Sequence, residues 1–490
     1  MNDIIGRLQR QAELHPDKTA VSDEHTSLTF SQLYSTAARF AYAISDKTGA
    51  SIGAPVILFC EKNIHSYAAL MGVLMSGRCY APLDTKMPPE RLRAVVKKLS
   101  AKAAVTTQAL AQKLTDAGFD GTLIYIEDIS DSAPETEPVS VSADSPAYIL
   151  FTSGSTGEPK GVVLSRRAVI HHMMWQTERL NIGEDAVLGN QAPFFFDASM
   201  PDIFTPLFTG AELHLIPERL FLLPKKLTEY INTHGINTLI WVPSALMLLS
   251  SADSFADMPI NGLRTVIFCG EVLPALHFNR WRKLYPEVMF VNMYGPTEAA
   301  YGCTYHIAAH CCTDGKPLPI GIPCEGTRIL LLDESGSPTD EGELCVIGER
   351  LADGYLCDSK TTAERFTISP YGEKMYRTGD LARRSQNGEL EYLGRMDRQI
   401  KKQGYRIELG EIEAAAYCCH GILNAHAIYN KDKGALLLFC VTDGSLSEKE
   451  LYSALKMRLP SYMLPTRITF IKEMPLTPNG KTDERQLIRL

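Results

Sequence analysis

The sequence predicts an α/β protein: a large N-terminal domain of layered α/β sheets with a β-barrel-like subdomain, then a small mobile α+β C-terminal domain. Three observations predict it. Short apolar runs alternate with helix-length segments up to about Gly315, the pattern of layered, mostly parallel sheets. Beyond Gly315 the strands become shorter and are punctuated by Gly and Pro, as in TRILLLDESG and GELCVIG. After Arg395, YLGRMDRQIKKQGYRIELGEIE passes from a strand through a turn into a helix without a long linker, which predicts a hinge and domains 1–396 and 397–490. A chain of 490 residues is too long for one core.

The N-terminal stretch MNDIIGRLQRQAELHPDK reads as an amphipathic helix, followed by a strand pair around Ala20 and Leu28. VILFC at Val56 is a strand and SYAALMGVLMSG a helix. AYILFTS, ELHLI, NTLIWV, RTVIFCG and VMFVNMYG are further strands, each ended by Gly, Ser or Pro. No repeat of solenoid period is present. A net charge of -8 gives no electrostatic reason to expect nucleic acid as a partner. No apolar run approaches the roughly 18 to 20 residues that span a bilayer, and no signal-peptide core opens the chain, so no membrane insertion and a cytoplasmic location are expected. The 12 cysteines are scattered. The pairs Cys311-Cys312 and Cys418-Cys419 lack the spacing of zinc ligands, so reduced thiols are expected.

The densest chemical signal is YILFTSGSTGEPKGVVLS, from Tyr148 to Ser165. An apolar strand runs into Thr152, Ser153, Gly154, Ser155, Thr156 and Gly157, followed by Lys160. Small residues let backbone N–H groups approach phosphate oxygens, and hydroxyls add donors. Lys160 is followed by Gly, so this is not a Walker A loop. The segment closely resembles the phosphate loop of the adenylate-forming superfamily, which includes acyl-CoA synthetases, luciferases and amino-acid adenylation domains. LMGVLMSGRCYAPLD, NQAPFFFDAS, FCGEVLP, NMYGPTEAA, GELCVIG, YRTGD, GRMDRQIKKQGYRIELGEIE and NGKTD are similar to further motifs of that superfamily, in its order. The resemblance covers essentially the whole chain and implies the acyl-adenylate synthetase fold, with ATP and Mg²⁺ as cofactors.

Roles follow from the resemblance residue by residue. Thr152, Ser153, Gly154 and Thr156 are implied to hold the β- and γ-phosphates, with Lys160 adding positive charge. Asn292, Met293, Tyr294, Gly295, Pro296 and Thr297 are implied to meet adenine and the α-phosphate, Tyr294 by stacking. Glu298 resembles the Mg²⁺-associated carboxylate, a hard ligand for a hard cation. Asp380, an acceptor-only group at neutral pH, matches two ribose hydroxyls, supported by Tyr392 and Arg395. Lys481, in LTPNGKTD, is the implied catalytic residue: a cation between carboxylate and α-phosphate offsets the repulsion of two anions.

Asp197 sits where aminoacyl-activating members place the carboxylate that pairs with the substrate α-ammonium, and burying it is costly unless a cation meets it. The same alignment gives Ala198, Pro201, Trp241, Ile267, Cys269, Met293, Tyr301 and Gly302 as the side-chain wall. A crowded wall favours a small amino acid, and Cys269 within FCGEVLP resembles the D-alanine–carrier-protein ligases. Ala198, where those ligases usually have Leu, and Tyr301, where they have a small aliphatic residue, depart from that pattern. Other small amino acids, a peptide-synthetase substrate or acyl-CoA ligase chemistry are the alternatives. Asp397 matches the family's hinge, and Gly404 the backbone that lines a tunnel for a phosphopantetheine thiol. No carrier segment follows in the sequence, so the expected acceptor is a separate phosphopantetheinylated carrier protein or free coenzyme A.

Overall fold

The computed structural model describes residues 3–154, 158–313, 315–431, 433–475 and 482–489. Among these residues, two large sheets form the body of the molecule. One has nine strands, in the spatial order Ile322–Pro323, Thr304–Ile307, Met289–Tyr294, Thr265–Cys269, Thr238–Trp241, Val187–Asn190, Glu212–Leu215, Thr19–Ser22, Ser27–Thr29. Its interior strands pair in parallel. The other has seven strands and carries the hairpin Pro146–Thr152/Lys160–Ser165.

The helix Ile64–Met75 is buried on nearly every side, as expected of an element that is apolar all round. It shares one core with residues of both sheets, among them Val56, Tyr148, Leu188 and Ile267. Pure helical amphipathicity would leave one face in water, and IHSYAALMGVLM has no such face.

A five-stranded antiparallel sheet comprises Thr327–Leu332, Glu341–Gly348, Lys374–Arg384, Phe366–Ile368 and Leu390–Arg395, where the sequence predicts the barrel-like subdomain. The C-terminal part opens with the hairpin Gln399–Lys402/Tyr405–Glu408 and the helix Leu409–Tyr417. Three strands follow, Ile422–Asn430, Ala435–Thr442 and Arg467–Phe470. This part has a core of its own, with Ile407, Ile412, Leu438, Leu451 and Met463. All twelve cysteines are free thiols. Among the described residues no helix is long and apolar enough to cross a membrane.

Candidate active site

Strand pairing brings Asp380 opposite Arg395. Three donors converge on the Asp380 carboxylate: Tyr294 Oη at 2.5 Å, Arg395 Nη1 at 3.1 Å and Tyr392 Oη at 3.3 Å. The ring of Tyr294, expected under adenine, is buried and 5.7 Å from Lys401 Nζ of the C-terminal hairpin. Asn292 lies on the same strand, where its side-chain amide donates to the Pro319 carbonyl at 2.8 Å.

The phosphate-loop residues lie at a hairpin tip, because Thr152 pairs with Lys160. A Cβ on Gly154 would come within 2.0 Å of the Glu158 carbonyl oxygen, so only glycine fits this bend. Ser153 Oγ donates to the Arg406 carbonyl at 2.8 Å, and the Gly154 N–H donates to Glu411 Oε2 at 3.2 Å. Lys160 Nζ lies 5.9 Å from the Tyr355 ring centre, and burial lowers its pKa. Ser155, Thr156 and Gly157 fall outside the described residues, as does Lys481.

Glu298 is buried, and both its oxygens accept from Arg406 Nη1, at 2.9 and 3.1 Å, while Tyr355 Oη donates at 2.7 Å. Burial opposes its charge, but Arg406 and Tyr355 outweigh burial and hold its carboxyl below the usual range. Among the described residues no cluster of three or more metal-ligating side chains exists. One carboxylate completed by phosphate oxygens is an adequate donor set for Mg²⁺, so the chemistry of Glu298 fits that role, with Arg406 on both its oxygens here.

Asp197 stands at the start of the short turn Asp197–Ser199, and Thr297 Oγ1 donates to its Oδ2 at 2.6 Å. Burial raises its pKa, with Thr297 and Lys401 acting in the opposite direction. Cys269 and Met293 are neighbours across paired strands, and the Cys269 thiol donates to the Tyr301 carbonyl at 3.6 Å. A Cβ on Gly302 would meet Met293 Cε at 2.3 Å. Ile267, Cys269, Met293 and Tyr301 are buried in one core cluster, with Ala198 packed against it.

Trp241 pairs opposite Phe268 and is buried in a different apolar cluster from Ile267, Cys269, Met293 and Tyr301. Its ring packs edge-on to Phe221 at 5.2 Å, and its indole N–H donates to the Gly189 carbonyl. Its strand neighbour Ile240 pairs opposite Ile267 and lies in the same cluster as Cys269, Met293 and Tyr301, because side chains alternate along a strand.

The C-terminal hairpin reaches into this site. Gly404, at φ +80°, leaves only 2.9 Å between a would-be Cβ and Val242 Cγ1. Tyr405 meets Phe196 edge-on at 4.9 Å and stacks on Tyr462 at 3.9 Å. Arg91 forms a buried ion pair with Glu411. Asp397 accepts from Arg395 Nε at 2.8 Å and Nη2 at 2.5 Å, which ties the turn to the cluster around Asp380.

The AMP-binding enzyme family model matches residues 8–356, and the model for the AMP-binding enzyme C-terminal domain matches residues 411–481. The chain is 34% identical to a mycosubtilin synthase polypeptide of Bacillus subtilis, over 98% of this chain and 19% of that protein. It is 31% identical to tyrocidine synthase 1 of Brevibacillus parabrevis, over 98% of this chain and 44% of that protein. The chain thus spans less than half the length of either synthase. It is 32% identical to the D-alanine--D-alanyl carrier protein ligase of Staphylococcus aureus (strain Newman), over 99% of both chains. A solved NRPS protein containing adenylation and PCP domains, holo-PA1221, superposes with a TM-score of 0.87 at 26% identity, covering 99% of this chain and 84% of that one.

Proposed function

Since this chain belongs to the AMP-binding enzyme family, we propose that it activates a small amino acid, D-alanine first, and loads it onto a carrier protein. An amino-acid carboxylate oxygen attacks the α-phosphorus of ATP and pyrophosphate leaves. The phosphopantetheine sulfur, having lost its proton, then attacks the aminoacyl carbonyl carbon, and AMP leaves. Mg²⁺, when bound, supplies charge neutralisation on the phosphates.

The observation that carries this reading is Asp197, a half-buried carboxylate beside the apolar group of Ile240, Ile267, Cys269, Met293 and Tyr301. A carboxylate drawn out of water in that setting wants a cation, and a substrate α-ammonium is one. Met293 packed on Gly302 leaves little depth for a side chain. The likeness to a D-alanyl carrier protein ligase along both full chains supports alanine and a carrier-protein thiol. Asp380, Tyr392 and Arg395 hold the ribose, the loop around Ser153 holds phosphate, and Lys481 bridges carboxylate and α-phosphate.

Asp397 is the hinge of a small domain, 397–490, that alternates between two poses over the 1–396 domain. With Gly404 on Val242 and Arg406 on Glu298, the arrangement suits thiol transfer: the phosphate loop and the metal carboxylate are both taken by the hairpin. A panel of amino acids in ATP–pyrophosphate exchange, with both enantiomers, tests the substrate. D-Alanine, L-alanine and glycine should lead. A preference for leucine or phenylalanine would end the small-substrate reading.

A further inference from the structure

Arg350 is fully buried behind the substrate wall. Among the described residues no carboxylate lies within ion-pair distance of it, an expensive arrangement for a charge. Its Nη1 donates to the Gly302 carbonyl at 2.9 Å and to His172 Nδ1 at 3.1 Å, and Nη2 reaches the Glu325 carbonyl at 3.5 Å. The guanidinium lies 4.7 Å from the Trp175 ring centre, a cation–π contact that offsets part of the desolvation.

These contacts fix a chain of side chains that ends in the wall. His172 is also fully buried, and burial, then Arg350, hold its pKa well below the usual value, so the ring is neutral. Nδ1 faces the Arg350 guanidinium at 3.1 Å and Nε2 faces Gln176 Oε1 at 3.1 Å. Held in plane by these two contacts, the ring meets Tyr301 edge-on, 5.8 Å between centres at 85°.

The backbone here is unusual. Ala300 and Tyr301 are consecutive non-glycine residues at φ +48° and +70°, a conformation that persists only where the surroundings over-determine it. Two anchors flank it: the Cys269 thiol on the Tyr301 carbonyl, and Arg350 on the Gly302 carbonyl.

We propose that Arg350 is a positioning residue for amino-acid selection, holding the left-handed Ala300–Tyr301 turn through the Gly302 carbonyl and His172, and so placing the Tyr301 ring that closes the side-chain pocket. This rests on the reading of Tyr301 and Met293 as substrate contacts. Sequence carries no hint of it, because Arg350 and His172 are 178 positions apart.

The test is ATP–pyrophosphate exchange by the full chain carrying Arg350→Met, Arg350→Lys or His172→Leu, with glycine, alanine, valine, leucine and phenylalanine, and with the KM for ATP measured alongside. Arg350→Met should raise the KM of the preferred small amino acid about tenfold and lower its selectivity over leucine at least as much. The KM for ATP should change less than about twofold. Arg350→Lys, which can still donate to the Gly302 carbonyl, should recover part of the selectivity. If Arg350→Met does not fold, His172→Leu, which removes the ring against Tyr301, should show the same relaxed selectivity. A uniform fall in kcat at unchanged selectivity in the folded variants overturns the proposal and leaves the proposed function standing. A wild-type protein that exchanges with no amino acid overturns both.

Discussion

Asp197 and Thr297 come from different motifs, a hundred positions apart, and their hydrogen bond joins the proposed substrate side of the site to the proposed nucleotide side. Thr297 occupies one carboxylate oxygen and orients the other. Asp197→Asn keeps the shape but removes the charge that, in the proposed reading, receives an ammonium. Truncating one partner of a buried charge pair costs about 2 to 5 kcal/mol, so kcat/KM for the amino acid should fall by more than tenfold. The pH profile gives an independent check. Asp197 must be ionised to pair with ammonium, and burial raises its pKa, so the acidic limb of kcat/KM should lie above the ordinary carboxylate value of about 3.9. Activity should fall as pH drops through that limb, and the limb should vanish in Asp197→Asn. At this scale the residues within motifs are legible in the sequence, because Thr152, Tyr294 and Asp380 sit in short patterns of type and spacing. The separation of Trp241 and Ile240 into different apolar clusters is not, since a motif does not say which face a strand residue takes. Strand register does.

The hairpin Gln399–Lys402/Tyr405–Glu408 concentrates the contacts between the C-terminal part and the site. Arg406 is the largest of them, its guanidinium on both oxygens of Glu298 and its carbonyl on Ser153. In the proposed mechanism Mg²⁺ would compete with Arg406 for this carboxylate, whose two oxygens both accept from the guanidinium here. Arg406→Ala leaves a buried carboxylate without its partner, which typically costs about 3 to 5 kcal/mol, and the cost falls on the docked arrangement. Thioester formation should therefore drop at least tenfold more than pyrophosphate exchange, measured on one preparation. A parallel loss of both would separate the ion pair from the transfer step. The sequence marks RIELGEIE as a motif, yet the pairing of Arg406 with Glu298 spans 108 positions and has no local signature. The helix Ile64–Met75 is legible for the opposite reason, because an apolar run without a polar face has one place to go.

Across the whole molecule, the order of sheet, curled antiparallel sheet and small α+β part is readable from the spacing of apolar runs and the change of texture near Gly315. The docking of the last part over the site is not, since it depends on tertiary contacts such as Arg91 with Glu411 and Gly404 with Val242. The swing about Asp397 that we propose would connect that docking to two half-reactions. Proline at 397 fixes its own φ and restricts the preceding residue, and it removes the carboxylate that holds Arg395. Asp397→Pro should trap one pose, so that exchange survives better than thioester transfer, read by following both on the folded variant. Equal loss of the two steps would speak against a swing. The central claim, that this molecule activates an amino acid and reads its amine, is tested most directly by ATP–pyrophosphate exchange with D-alanine and, in parallel, with propionate, the same acid without the amine. The account predicts exchange with D-alanine at least about tenfold above propionate, and exchange with propionate equal to or above that with any amino acid would contradict it.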